Sequence, residues 1–143
     1  MMRLFGAMAL GCLLTGATAR PAAAETKTGE VKFTGVNREA ARVTAGDKLK
    51  LEAGFQQIDV GGVSAVSVHG MVKNTTRMKL HYSYNVAFLD KDKNLIGCQN
   101  FAHDVEAGKQ SGAGTFIFLP REEIAKIQYY SIAFHESANP IGK

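Results

Sequence analysis

Apolar and polar residues alternate through the middle of the chain, from Val66 to Ile96. The first alternating run places on one face Val66, Val68, Gly70 and Val72. The second run places on one face Leu80, Tyr82, Tyr84, Val86 and Phe88, and on the other His81, Ser83, Asn85 and Ala87. A period of two residues over this length is typical of half-buried β-strands. We predict two long strands, with the row from Leu80 to Phe88 at the hydrophobic centre and the opposite face in contact with water.

Polar turns separate these runs, over residues 73–77 and 90–94. Asn, Asp and Thr favour such places because their side chains bond the neighbouring backbone. We expect Asn74 to make bonds of this kind. The Asn74-Thr75-Thr76 triplet is therefore interpreted as turn chemistry.

The rest of the chain repeats the strand rhythm on a shorter scale. Further strands are predicted over residues 30–36, 48–52, 55–60, 95–101, 112–119 and 127–134. Residues 25–30 are expected to fray, and residues 37–42 could be a short helix or a loop. Pro120 followed by two acidic residues favours a short helical segment near 120–126. This pattern predicts an all-β sandwich of about seven to eight antiparallel strands with at most one short helix.

A family resemblance rests on the central stretch. The residues that carry it are Gly70, Val72, Asn74, Thr75, Val86, Phe88, Leu89, Asp90, Asn94 and Ile96. Together they give the stretch a pattern that resembles the FxLYD-type domain of bacterial envelope proteins. Val86 stands in place of the first Phe of the naming motif, and Leu89 in place of its Tyr. In rhythm and size the chain is also similar to the YcfL-type small envelope lipoproteins. Both resemblances imply an immunoglobulin-like β-sandwich, and neither implies a catalytic residue.

The first 24 residues differ in kind from the rest. Arg3 gives a positive start, residues 4–17 are mostly apolar, and three alanines end at Ala24. This three-part pattern predicts a secretory signal that is cut before Glu25, leaving one domain over residues 25–143. A lipoprotein anchored at Cys12 is the alternative, but Cys12 lies inside the apolar run. We expect a periplasmic or secreted bacterial protein with no transmembrane segment in the mature chain.

Charge and cysteine content change this picture little. The chain has 17 Lys and Arg against 13 Asp and Glu, and loss of Arg3 and Arg20 with the signal leaves 15 against 13, a net +2. No basic run with interleaved aromatic residues remains, so nucleic acid is not an expected partner. Cys98 is the cysteine left after the cut. It could be a small buried residue, a reactive thiol or half of an intermolecular disulfide.

Four possible soft-metal ligands fall within thirteen positions: His69, Met71, Met78 and His81. If the two central strands pair as a hairpin with Met71 opposite His81, then His69, Met71 and His81 share one face. Imidazole and thioether together suit copper, and export makes copper accessible. The alternative is an ordinary wet face of the sheet.

Catalytic patterns are weak by comparison. His103 and Asp104 are adjacent in a predicted strand and should point to opposite faces. No Gly-x-Ser-x-Gly elbow occurs in the sequence. We therefore expect no enzyme, no catalytic residue and no cofactor. The sequence predicts a non-catalytic binding module of the bacterial envelope, whose partner is another envelope protein or a cell-wall or outer-membrane component. A periplasmic protein that binds copper or another soft metal is the alternative.

Overall fold

The structure, a computed structural model, describes residues 23–139. The predicted signal segment lies outside this range except for its last two residues, and Cys12 lies outside it too. The elements in chain order are β1 (Ala23–Glu30), β2 (Glu39–Ala45), β3 (Leu49–Val60), β4 (Val63–Asn74), β5 (Leu80–Leu89), β6 (Leu95–Val105), β7 (Gln110–Gly112), β8 (Thr115–Phe118), α1 (Arg121–Ile124) and β9 (Tyr129–Ser137).

Two antiparallel sheets pack face to face. One has four strands in the order β1-β9-β5-β6, and the other has five, β2-β3-β4 followed by β7 and β8 along the same side of β4. The predicted all-β sandwich is confirmed, with nine strands among the described residues and one helical turn at Arg121–Ile124. None of the helical structure between residues 23 and 139 is long and apolar enough to cross a membrane.

The row from Leu80 to Phe88 forms the centre of the core, as predicted. Tyr82, Tyr84, Val86 and Phe88 are fully buried. The Phe88 ring packs edge-on against Phe55 of the opposite sheet, with centroids 5.1 Å apart. These residues bring the inner faces of β5 and β3 together.

The opposite face of β5 was expected to be wet, and this prediction is wrong. Ser83, Asn85 and Ala87 are only 7%, 4% and 5% exposed. β5 runs between β9 and β6, and so side chains of both neighbouring strands flank these small residues. Ser83, for example, lies between His135 of β9 and Ala102 of β6. Period-two patterning cannot show how closely neighbouring strands enclose a central strand.

The assumed hairpin between the two central strands is also wrong. β4 belongs to the five-stranded sheet and β5 to the four-stranded sheet, and residues 75–79 cross between them. Asn74 fixes this crossing, because its Nδ2 donates to the carbonyls of Met78 and Val105 at 2.8 and 2.9 Å. Its Oδ1 accepts from the Thr76 N–H at 2.9 Å. The predicted backbone bonding by Asn74 is confirmed.

The N-terminal part of the domain differs from the prediction. The first strand is Ala23–Glu30, which includes the segment expected to fray, and residues 31–34 lie outside any strand. Residues 37–42 are predicted to form a short helix or a loop, but residues 39–42 form the first part of β2. β1 pairs with β9 along its whole length, from Ala23 opposite Glu136 to Glu30 opposite Tyr129. Main-chain pairing therefore holds a polar segment in the sheet, which its own side chains do not reveal.

Candidate functional site

The three predicted metal ligands lie on two different faces of the sandwich. His69 and Met71 project outward from β4, because Val68 and Val72, which flank them in the strand, face the core. His81 projects outward from β5 in the other sheet. Packed sheets lie about 10 Å apart, so the core separates His81 from the other two. The three do not form one site, and no group of three or more His, Cys, Asp or Glu suited to a metal occurs within residues 23–139.

His69 contacts Glu39 across Gly54 instead. Its Nε2 lies 3.2 Å from Glu39 Oε1, which also accepts a 2.6 Å hydrogen bond from Arg42 Nη2. Gly54 lies in register between Arg42 and His69, and a Cβ at this position would collide with Glu39 and His69. The hydrogen bond from Arg42 is the main cause that lowers the pKa of Glu39 below its usual value. This exposed cluster ties β2 to β4 over the glycine.

Ser83 and His135 lie opposite each other on the outer face of the four-stranded sheet. The Ser83 Oγ and both ring nitrogens of His135 are buried and make no hydrogen bond, and the same holds for Asn85 Oδ1. Burial lowers the pKa of His135. An activated serine needs a hydrogen bond to its base and a third group that orients the base. This pair has neither in the described geometry.

His103 and Asp104 point to opposite faces of β6, as predicted, since they lie opposite the buried Tyr82 and the outward His81. Asp104 accepts an ion-pair contact from Lys79 Nζ at 3.3 Å. The hydrogen bond with Lys79 lowers the pKa of Asp104, and the bond with Asp104 raises the pKa of Lys79. The carboxylate thus serves a surface ion pair and does not orient His103.

Cys98 lies half-buried on β6. It takes part in a disulfide bond.

A surface cleft of about 470 Å³ opens where β1 ends, near α1. It is lined by Glu30, Val31, Lys32, Ala40, Ala125, Ile127 and Gln128. Glu30 and Lys32 place one charge of each sign at its mouth, while Val31 and Ile127 are buried at its wall. The cleft offers a mixed surface without a nucleophile or a paired acid and base.

An apolar patch on the outer face of the five-stranded sheet is the most distinctive surface feature. We define the β8 patch as Val60, Val63, Phe116 and Phe118, which are 40%, 53%, 47% and 58% exposed. Val60 and Val63 are paired across the β3–β4 turn, and the rings of Phe116 and Phe118 lie 6.4 Å apart. The four side chains share one face because they lie at alternating positions in paired strands. The patch could receive an apolar partner.

A small polar network lies at the β3–β4 turn, where Asp59 and Ser64 alternate with Val60 and Val63 and so face away from the β8 patch. Arg121 at the start of α1 donates from Nη2 to Asp59 Oδ2 at 2.9 Å and from Nε to Ser64 Oγ at 3.2 Å. Ser64 in turn donates to Asp59 Oδ1 at 3.3 Å. The network links the β3–β4 turn to the segment that follows β8.

The β8 patch is not among the features predicted from the sequence. Residues 112–119 are predicted as a strongly apolar strand, with no face assigned to Phe116 and Phe118. The available indication was that Phe116, Ile117 and Phe118 are consecutive, so that both faces of the strand are apolar. Ile117 faces the core, and the two phenylalanines face outward from a strand at the sheet edge.

Comparisons with known proteins give distant likenesses. No protein-family model and no curated protein matches the chain. A structure of the infectious bursal disease virus Gx strain aligns with 82% of this chain at 14% identity and a TM-score of 0.42, and the chain spans 28% of that viral chain. A DUF1425 family member from Shewanella sp. pv-4 aligns at 10% identity and a TM-score of 0.43, over 76% of this chain and 97% of that one.

A third likeness is to the Avr2 effector of the fungal plant pathogen Fusarium oxysporum, at 10% identity and a TM-score of 0.39, over 85% of this chain and 94% of that one. All three TM-scores lie below 0.5, and none of the three assigns a family or a function. The relation to the FxLYD-type domain stays a resemblance.

Proposed function

We propose that the chain is a non-catalytic exported binding module of the bacterial cell envelope. Its partner is another envelope protein or a cell-wall or outer-membrane component. The signal-like pattern over residues 1–24 supports export, and the resemblance to envelope domains supports the compartment.

The observation that carries the proposal is the β8 patch. A folded domain gains free energy by burying large apolar side chains, at roughly 25 cal/mol per Å². Yet Phe116 and Phe118 stay about half exposed and lie next to two exposed valines, while the core of the same sandwich is fully buried. Contiguous exposed apolar patches mark sites of interaction.

Site-specific photo-crosslinking in living bacteria that export the protein tests the proposal. A photoreactive phenylalanine analogue replaces Phe118 in one strain and Met78 in the matched control strain, since Met78 is also about half exposed but lies away from the patch. We expect a discrete adduct of higher mass from position 118 and none from position 78. Unmodified monomer alone from position 118 would count against a binding role for this surface.

Intact-mass measurement on the exported protein tests the proposed cleavage site and localisation. We expect a soluble species that begins at Glu25. A lipid-modified species that begins at Cys12 would contradict soluble export and place the protein on a membrane surface.

A further inference from the structure

We infer that β8 binds an extended segment of a partner protein as an additional antiparallel strand, with apolar side chains at every second position of that segment. The inference rests on the proposed binding function and deepens it, because it names the kind of ligand and the way in which it is held.

The first argument is the state of the β8 edge. β8 pairs with β4 through residues 115–118, and no strand within residues 23–139 pairs with its other side. Natural sheets protect such edges with very short strands, lysine, proline or a bulge, because unpaired main-chain groups recruit other strands. β8 is short, with the four residues Thr115-Phe116-Ile117-Phe118, but it contains no charged residue and no proline. Its register with β4 is continuous over the four residues.

The second argument concerns the Gln99 side chain, which a partner strand would displace from the edge of β8. Gln99 on β6 places its Nε2 3.5 Å from the carbonyl oxygen of Phe116. This distance is at the outer limit of a hydrogen bond, so the contact is weak. Gln99 is an exposed residue. An incoming main-chain N–H would replace this contact with a shorter bond.

The third argument is the match of side chains. In an antiparallel pair, residues directly opposite each other have Cβ atoms about 4.5–5.5 Å apart. A strand added to β8 therefore places two alternate side chains beside Phe116 and Phe118, on the outer face. Apolar residues at those two positions would cover the rings, and main-chain hydrogen bonds would supply the remaining affinity, as in other cases of strand addition.

The fourth argument selects a segment over a second copy of the chain. A buried aromatic side chain covers about 150–250 Å², so the exposed halves of Phe116 and Phe118 offer roughly 200 Å² together. Two half-exposed valines add less. A stable interface between two folded proteins buries about 800 Å² on each partner. The β8 patch is too small for a stable dimer that relies on it alone, whereas a single added strand needs only this width.

Fluorescence anisotropy with a defined probe tests the inference. The probe is a labelled nine-residue peptide in which Thr and Val alternate between terminal lysines. We expect saturable binding to the mature chain and at least a tenfold loss of affinity for the double variant Phe116→Ser, Phe118→Ser. Met78→Ser, the matched surface control, should bind as the parent does. Absence of saturable binding, or equal binding by the double variant, would overturn the inference.

Two N-methylated probes separate strand addition from simple apolar adsorption. One carries N-methyl groups on its valines and the other on its threonines, so that each has one of its two main-chain edges blocked. When the valines of the peptide face the patch, only one main-chain edge of the peptide can form hydrogen bonds with β8. We therefore expect the peptide whose N-methyl groups block that edge to lose binding and the other peptide to keep it. Equal binding by both would contradict the inference.

Sedimentation of the unliganded protein tests whether a second copy of the chain occupies the β8 patch instead. A concentration-dependent dimer that the double variant abolishes would replace the segment with a second copy and overturn the inference. Crosslinks from position 118 in cells together with no peptide binding would leave the proposed function intact and refute only the strand addition. The two failures are thus distinguishable.

Discussion

Glu136 on β9 accepts through Oε2 a 2.9 Å hydrogen bond from the main-chain N–H of Leu49, at the start of β3. Its Oε1 accepts a second bond from the Lys48 N–H at 3.0 Å. β9 and β3 belong to different sheets, so one buried carboxylate joins the two sheets at this end of the sandwich. Glu25 on β1 holds the same turn by accepting from the Gly46 N–H at 2.8 Å.

Replacing Glu136 with glutamine should weaken this connection. The amide keeps one acceptor oxygen, loses the charge and faces one of the two N–H groups with a donor. Hydrogen bonds to charged groups contribute about 1.5–3 kcal/mol, and we expect a loss of about 2 kcal/mol in the free energy of unfolding. Urea denaturation measures it, with the exposed Glu122→Gln as the control. Equal midpoints for the two variants would show that the charge and second acceptor of Glu136 add nothing to stability.

Gly46 should tolerate alanine much less well than Gly61 does. Both have positive φ, +100° and +58°. A Cβ on Gly46 would overlap the Leu49 carbonyl oxygen and lie 2.9 Å from Phe134 Cε2, whereas a Cβ on Gly61 meets nothing within 4 Å. The left-handed backbone alone costs about 1–2 kcal/mol, which we expect for Gly61→Ala. Gly46→Ala should cost clearly more, and a thermal melt of the two variants that ranks them in the reverse order would contradict the packing described for the β2–β3 turn.

Phe88→Ala should severely destabilise the domain. Its ring packs edge-on against Phe55 at 5.1 Å and Phe33 at 5.8 Å and is fully buried. Truncation of a buried phenylalanine costs about 3–5 kcal/mol, a large share of the stability of a small domain. Ser83→Ala on the other face of β5 is the control, because the Ser83 Oγ makes no hydrogen bond. Its melting temperature should stay near that of the parent. A Phe88→Ala melt within a degree or two of the parent would refute the core assignment.

His135 should make the domain less stable in mild acid. Burial lowers its pKa below the ordinary value of 6.5, so the unfolded chain binds a proton at a higher pH than the folded chain does. The folded state therefore keeps its full stability with respect to His135 above pH 6.5. This stability is lost as the pH falls through that value towards the lower pKa of the folded state. Denaturation between pH 7.5 and about 5 should show a decline that His135→Gln reduces. The same substitution at the exposed His103 is the control, and an unchanged slope in His135→Gln would rule out this source.

Local patterns settled several features correctly. The row from Leu80 to Phe88 faces the core because side chains in a strand alternate strictly, whatever sheet the strand joins. The turn after β5 is equally local, since Asp90 Oδ1 accepts from the N–H groups of Asp92 and Asn94, both at 2.9 Å. These hydrogen bonds are the main cause that lowers the pKa of Asp90, the bond from Asn94 first. Asn74 belongs to the same group, because its first partner lies two residues away.

Sheet membership was decided by the tertiary structure alone. The sequence of β4 and β5 is compatible with a hairpin, yet Asn74 bonds Val105, thirty-one residues later, and the chain crosses to the other sheet. This one difference separates His69 and Met71 from His81 and removes the predicted metal site. Pairing with β9 likewise turned the polar N-terminal segment into β1.

The exposure of Phe116 and Phe118 has the same origin. Alternation fixes that they share a face, but only the position of β8 at the sheet edge and the lack of a described covering element decide that this face meets water. The sequence by itself therefore determined the central strands, their inner rows and their local turns, because these depend on residues close in the chain. The tertiary structure decided which strands are neighbours and which apolar rows stay uncovered, because both depend on contacts between residues far apart in the chain.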